Sequence, residues 1–292
     1  MTEELTAIFW RLRRQYHENL CKNVLGMRSA QGVPNIADVS SRSSTEIARL
    51  MTTKMAYSLC DRPPGGQGAG ALFGRFTAEY IQAAFERLDH LRPGKWQYAA
   101  TGGTGIGGFD QYKHLLDLKQ VLDENPAVKA ALGGDYLVTP DIIIARMPVL
   151  DDEINQKEHL VAGVTEVSRL SPLRAANQGD AISPILHASI SCKWTMRSDR
   201  AQNTRTEALN LIRNRKGATP HIAAVTLEPL PTRLASIAMG TGDVDCTYHA
   251  ALYELKEAVE EGGFEDQAEM LHTLIEGRRL RDISDLPLDL AL

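Results

Sequence analysis

Two carboxylates and a lysine stand out by type and position. Pro140-Asp141 sits directly before three isoleucines, Ser191-Cys192-Lys193 closes a second apolar stretch, and Glu207 follows fourteen positions after Lys193. An acid at the lip of an apolar strand is unfavourable unless it is paired or metal-bound, although a strand-capping or turn acid is the plainer reading of Asp141 alone. Together the three groups suit one chemistry. A carboxylate oxygen holds a hard divalent cation, the cation acts as a Lewis acid and lowers the pKa of bound water, and a lysine ammonium offsets charge developing on a phosphate. That is metal-assisted hydrolysis of a phosphodiester.

The elements that must position these groups follow from periodicity. Residues 187–194 read as a buried strand whose alternation places Ser189, Ser191 and Lys193 on one face and Ile190, Cys192 and Trp194 on the other. A helix capped by Thr195 or Ser198 follows, with a charged entrance (Arg197, Asp199, Arg200, Arg205, Glu207) and an apolar body running to Gly217. Residues 135–149, with Asp141 leading into Ile142, Ile143 and Ile144, read as a central strand. Seven basic residues against two acids lie between Lys193 and Lys216, within a chain of formal charge -5. Such a cluster is either a solvated face or an electrostatic footprint for nucleic acid.

The rest of the chain reads as an α/β protein. Helices are expected over 3–20, 44–60 and 72–91, the second preceded by a loop over 26–44 that holds Asp38. A flexible glycine-rich connector over 62–70 should hold Gln67. A strand over 95–100 leads into Gly103, Gly105 and Gly108, the formal G-x-G-x-x-G pattern; a surface turn is the alternative to a phosphate cradle, since no acid-ended parallel strand follows at the right distance. A short helix over 126–132, a strand within 160–167 in an otherwise irregular 150–184, and a strand over 221–227 come next. Then come a helix from Pro231 holding Arg233, a strand over 243–248, helices over 250–262 and 265–277, and a tail. The 292 residues suffice for one large core, and 43% hydrophobic with 24% charged residues is ordinary for a globular enzyme. No apolar run approaches the roughly 18 to 20 residues of a membrane span, and no basic-then-apolar leader is visible, so a cytoplasmic protein without membrane association is expected. Four scattered cysteines with no C-x-x-C pair argue for thiols rather than a disulfide framework or a cysteine zinc site.

Pro140-Asp141, Ser191-Cys192-Lys193 and Glu207 resemble the variant active-site pattern of the PD-(D/E)xK restriction endonucleases that recognise CCGG-containing sites, in which the second acid has moved to the helix after the lysine strand. The likeness extends over most of the chain and is firmest across 187–217 and 281–291. It implies a restriction-endonuclease-like core, a central mixed β-sheet flanked by helices, as a single domain over 1–292 with helical elaborations at 1–92 and 250–292. It implies that Asp141 binds Mg2+ with the main-chain carbonyl of Cys192, that Lys193 orients the attacking water, that Ser191 supports the site, and that Glu207 serves as the second acid. Arg197, Asp199 and Arg200 fall where the family reads CCGG, as befits arginine donating to guanine and aspartate accepting from cytosine. Asp38 and Arg233 match readers of an outer G·C pair, and Gln67 a minor-groove contact. The implied activity is type II cleavage of double-stranded DNA at GCCGGC leaving 5′ overhangs, by a homotetramer binding two DNA copies. One departure is clear. A further family glutamate falls at Gly74 here, and Glu79, five residues on, lies roughly 140° round the helix axis. A DNA-binding protein with impaired catalysis is therefore a second reading, and a nucleotide-dependent oxidoreductase built on Gly103 to Gly108 a third.

Overall fold

Helical and strand periodicities resolve, in a computed structural model, into a mixed α/β fold described over residues 7–28, 32–100, 105–132, 137–163, 167–179, 182–240 and 242–292. The chain divides into two compact units. The first comprises Met1–Arg92, Ile190–Ala208 and Ile222–Leu292, the second Pro93–Ser189 and Leu209–His221.

In the first unit, α1 (Ile8–Asn23) buries Tyr16, Leu20 and Cys21. The loop expected after it contains a short antiparallel pair, β1 (Met27–Arg28) and β2 (Val33–Pro34). Ser41 caps α2 (Arg42–Lys54) by accepting from the Ser44 amide. The glycine-rich connector is shorter than the sequence suggests, because α3 (Gly66–Phe85) begins inside it. Gln67 therefore stands exposed on the first turn of a helix. Pro63 and Pro64 leave the chain extended just ahead of that turn, the Ala69 amide donates to the Gly65 carbonyl at 2.8 Å, and burial of Phe73, Phe76, Tyr80 and Ile81 outweighs roughly 1 kcal/mol of lost propensity per glycine.

The second unit holds β3 (Trp96–Ala100), α4 (His114–Glu124), α5 (Pro126–Leu132), β4 (Ile142–Arg146), α6 (Asp151–Ile154) and the first half of β5 (Ile185–Lys193). The sheet runs β3, β4, β5 there, with β3 and β4 antiparallel. That pairing removes the dinucleotide reading, which needs parallel strands around the glycine turn. Gly103 lies outside the described residues, while Gly105 precedes a single 3₁₀ turn over Ile106–Gly108. The strand expected within 160–167 is not found in its described part, 160–163 and 167. One buried guanidinium orders this segment: Arg174 donates to Asp151 at 2.7 and 2.6 Å, to the Gly163 carbonyl at 2.9 Å and to the Val167 carbonyl at 3.1 Å.

The chain then follows α7 (Ser198–Asn214), β6 (His221–Thr226), α8 (Pro231–Ala238), β7 (Cys246–His249), α9 (Leu252–Gly262), α10 (Glu265–Glu276), β8 (Leu280–Asp282) and α11 (Leu286–Asp289). The last two replace the expected tail. In the first unit the sheet order is β5, β6, β7, β8, with β6 to β8 parallel, so the sheet as a whole is mixed and helix-flanked, as expected. α1 packs on α3, α2 on α9 and α10 on α8. No helix among the described residues is long and apolar enough to cross a membrane, and the four cysteines form no disulfide.

A double fork ties these layers together. The Arg13 guanidinium donates to both oxygens of Asp282 at 2.9 and 2.8 Å and to both oxygens of Glu254 at 2.8 and 2.7 Å. Burial alone would raise both carboxyl pKa values, but the hydrogen bonds from Arg13 carry them below the ordinary carboxylate range. Groups with depressed native pKa values stabilise fully above their unfolded values, here 3.8 and 4.5, and lose that contribution as pH falls through the native ones. Arg13→Met is expected to destabilise by about 3–5 kcal/mol at neutral pH in urea unfolding. Its stability should then change less on acidification below pH 4 than that of the wild type, and an unaltered acid limb would contradict the assignment.

Candidate active site

β5 is buried along its whole length except at Ile185 and Lys193, which are half-buried, so the alternation read from the sequence separates two covered faces rather than core from solvent. On one face the Ser191 hydroxyl lies 3.2 Å from the Thr204 hydroxyl of α7, both nearly inaccessible. Glu207 follows Thr204 by three residues, about 60° round the axis, and so belongs to the α7 flank that meets Ser191. Just past the strand, Trp194 packs edge-on against Phe73 of α3, ring centroids 5.5 Å apart. Lys193 thus ends a strand pinned to α7 at Ser191 and followed at once by a residue wedged on α3. Asp141 is half-buried in the second unit, immediately before the buried isoleucines of β4, as the sequence indicated.

The cap of α7 differs from expectation. The Ala201 amide bonds to the carbonyl of Arg197, so Arg197 occupies the cap position. Thr195 is engaged elsewhere: its carbonyl and hydroxyl both accept from the Arg200 guanidinium at 2.9 Å. Arg197 and Asp199 are exposed and Arg200 half-buried at this helix entrance. A cavity of about 320 Å³ is lined by Arg28, Asn35, Thr195, Arg197 and Arg200 beside the first turn of α3, and a second of about 390 Å³ by Asp38, Arg197, Thr232, Arg233 and Ser236. Asp38 and Arg233, 195 positions apart, form an ion pair. The Ser40 amide and hydroxyl, at 3.0 and 2.7 Å, together with Arg233 hold the Asp38 carboxyl down to about 2. Gly74 is buried in α3, whereas Glu79 is exposed, 3.8 Å from Arg75, on a different side of the helix.

Two residues of this region escaped the sequence reading. Glu228, two residues past the end of β6, has no exposed surface and accepts from the amides of Met196 at 2.8 Å and Leu230 at 3.2 Å. Burial pushes its carboxyl up to about 7 against these hydrogen bonds and the nearby Arg233. The signal was the one that marked Asp141, an acid at the end of an apolar strand. Arg205, counted with the basic cluster, is committed to structure. It donates to the carbonyls of Ser236, Ile237 and Met239 at the end of α8 and pairs with Asp243. Gly240, at φ +100°, lets the chain wrap round this guanidinium; a Cβ there would stand 3.3 Å from Arg205 Nη1.

The profile of the NgoMIV restriction enzyme family matches residues 16–292. A curated relative, the type II restriction enzyme NgoMIV of Neisseria gonorrhoeae, is 44% identical over 292 residues, covering 99% of this chain and 100% of its own. Among solved structures, the type IIF restriction endonuclease Bse634I with cognate DNA is similar over 91% of each chain, at 17% identity and a TM-score of 0.37. The restriction endonuclease PspGI in complex with substrate DNA covers 87% of this chain and 82% of its own, at 13% identity and a TM-score of 0.27. The class is that of the site-specific deoxyribonucleases, enzymes that hydrolyse DNA. Within it, the chain belongs to the NgoMIV restriction enzyme family.

Arg205→Ala should therefore act on stability. Removing hydrogen bonds from a charged donor is expected to lower unfolding free energy by about 1.5–3 kcal/mol in urea titration. Loss of DNA affinity at unchanged stability would place Arg205 on the binding face instead.

Proposed function

We propose that this enzyme is a Mg2+-dependent type II restriction endonuclease that cuts double-stranded DNA within the palindrome GCCGGC and leaves 5′ overhangs. The observation carrying this reading is the β5–α7 element. Ser191 and Lys193 end the strand, Arg197, Asp199 and Arg200 open the helix, and Glu207 lies on the helix flank tied to Ser191 through Thr204. One rigid piece thus bears both kinds of group, which fixes the distance from the bases read to the bond cut.

The donors fit the metal. The Asp141 carboxylate and the Cys192 main-chain carbonyl are hard oxygen ligands, and magnesium takes few protein ligands, retaining waters and phosphate oxygens for the rest. Among the described residues no three His, Cys, Asp or Glu side chains gather into a cluster, so the proposed site relies on this small oxygen set. When bound, magnesium supplies Lewis acidity and eases deprotonation of water. Lys193 orients the attacking water and offsets charge on the phosphate, Glu207 serves as the second acid, and Ser191, held by Thr204, keeps the strand end in place. Arg197, Asp199 and Arg200 read CCGG in the major groove. Asp38 and Arg233 read the outer G·C pair, and Gln67, exposed on the first turn of α3, enters the minor groove. A cytoplasmic homotetramer engaging two DNA copies completes the reading; light scattering with and without a GCCGGC duplex tests it.

Lys193→Ala is expected to abolish magnesium-dependent cutting of plasmid carrying GCCGGC while preserving sequence-specific binding in calcium; retained cleavage removes the lysine from the mechanism. Mapping the cut ends tests site and overhang together. Gly74 favours the second reading, a specific binder with weak catalysis, and binding without cleavage across a series of divalent metals would support it. Affinity should also fall steeply with salt. Arg197→Ala should weaken specific binding by about 1–3 kcal/mol at unchanged melting temperature, and a flat salt response would count against binding through this face.

A further inference from the structure

The carboxylate of Glu228 lies between the two groups of residues proposed to read DNA. Oε2 accepts the Met196 amide at 2.8 Å, one residue before Arg197, and Oε1 accepts the amide of Leu230, the residue that caps α8. Arg233 lies in the first turn of α8, its Nη1 4.0 Å from the same Oε1, while its Nη2 side engages Asp38. The backbone that carries this carboxylate is held from behind. The Glu228 amide donates to the Thr226 hydroxyl at 3.2 Å, and its carbonyl lies 3.1 Å from His249 Nε2. Burial lowers the His249 pKa to about 4. The ring is therefore neutral, and because Nδ1 accepts the Ala251 amide at 3.1 Å, Nε2 is the nitrogen that donates to Glu228. Thr226, Glu228 and His249 are all without exposed surface, so the main chain of Glu228 is anchored at the ends of β6 and β7 and its buried side chain has little freedom.

We propose that Glu228 is a positioning residue for sequence recognition, one carboxylate that sets the Arg197 segment and the Asp38–Arg233 pair in register with each other. It touches no DNA. Its role is to make reading of the outer base pair depend on where the CCGG readers sit, and it rests on the recognition roles proposed above. Both oxygens face donors, so the form that satisfies both connections is the ionised carboxylate, and the comparison below is made well above pH 7, where Glu228 carries its charge. In Glu228→Gln the shape is kept, but the amide NH2 must oppose either the Met196 amide or the Leu230 amide and Arg233. One of the two connections is lost.

Cleavage rates on GCCGGC and on ACCGGT, which keeps CCGG and changes only the outer pair, give the test. A role confined to stability lowers both rates together and leaves their ratio alone. The wild type is expected to prefer GCCGGC, and Glu228→Gln to reduce that preference at least tenfold at a melting temperature within a few degrees of wild type. A folded variant with the wild-type ratio overturns the inference. A wild type indifferent to the outer pair instead overturns the recognition reading on which it rests. Should Glu228→Gln not fold, Glu228→Asp is measured in its place: the charge stays, but a carboxylate one methylene shorter cannot span both amides, and the same drop or constancy of the ratio decides.

Discussion

Two carboxylates, Asp282 on β8 and Glu254 on α9, are drawn out of water by the packing of the first unit and remain ionised because a single guanidinium reaches both. Burying such charges is unfavourable unless every lone pair finds a donor, and Asp282 has several: Arg13, the Leu252 and Ser284 amides and the Ser284 hydroxyl. The constraint propagates. Arg13 fixes α1 against β8 and α9; α1 packs on α3; and α3 receives Trp194, the neighbour of Lys193. The place of the lysine strand end is therefore set partly by an ion cluster formed by residues at both ends of the sequence.

The same economy recurs nearer the helix entrance. Arginines here fall into two kinds. Arg13, Arg174 and Arg205 are consumed by carboxylates and carbonyls of their own chain, whereas Arg197 stands exposed at a helix start between two cavities. A count of positive charge between Lys193 and Lys216 overstates the surface available to a polyanion, because Arg205 closes a helix end and Arg215 donates to the Ile212 carbonyl.

Where local chemistry dominates, the sequence was a good guide. Pro231 opens α8, Pro126 opens α5, the apolar run of β5 is a buried strand, and Asp141 stands directly before β4. Membership of the restriction enzyme family was legible from Pro140-Asp141, Ser191 to Lys193 and the spacing to Glu207, and the comparisons bear it out. What escaped depended on partners distant in the chain. A helix begins among glycines at Gly66 because its apolar body packs on α1; β8 forms because β7 offers it an edge; and Arg174 ties together Asp151, Gly163 and Val167, which are far apart in the irregular part of the chain. Glu228 carries the same signal as Asp141, an acid at the end of an apolar strand, but its distant partner, the Met196 amide 32 positions away, is a backbone group that side-chain types do not reveal.

The bonds between Arg200 and Thr195 have a consequence in conformational entropy. A free arginine side chain samples many rotamers, worth about 2 kcal/mol, and pays that freedom on binding. Here the carbonyl and hydroxyl of Thr195 have already engaged one end of the guanidinium, five residues back along the chain. The remaining donors present one fixed pattern to whatever approaches. A donor set held in this way needs little further ordering to meet a matching acceptor and cannot reshape itself around a mismatched one.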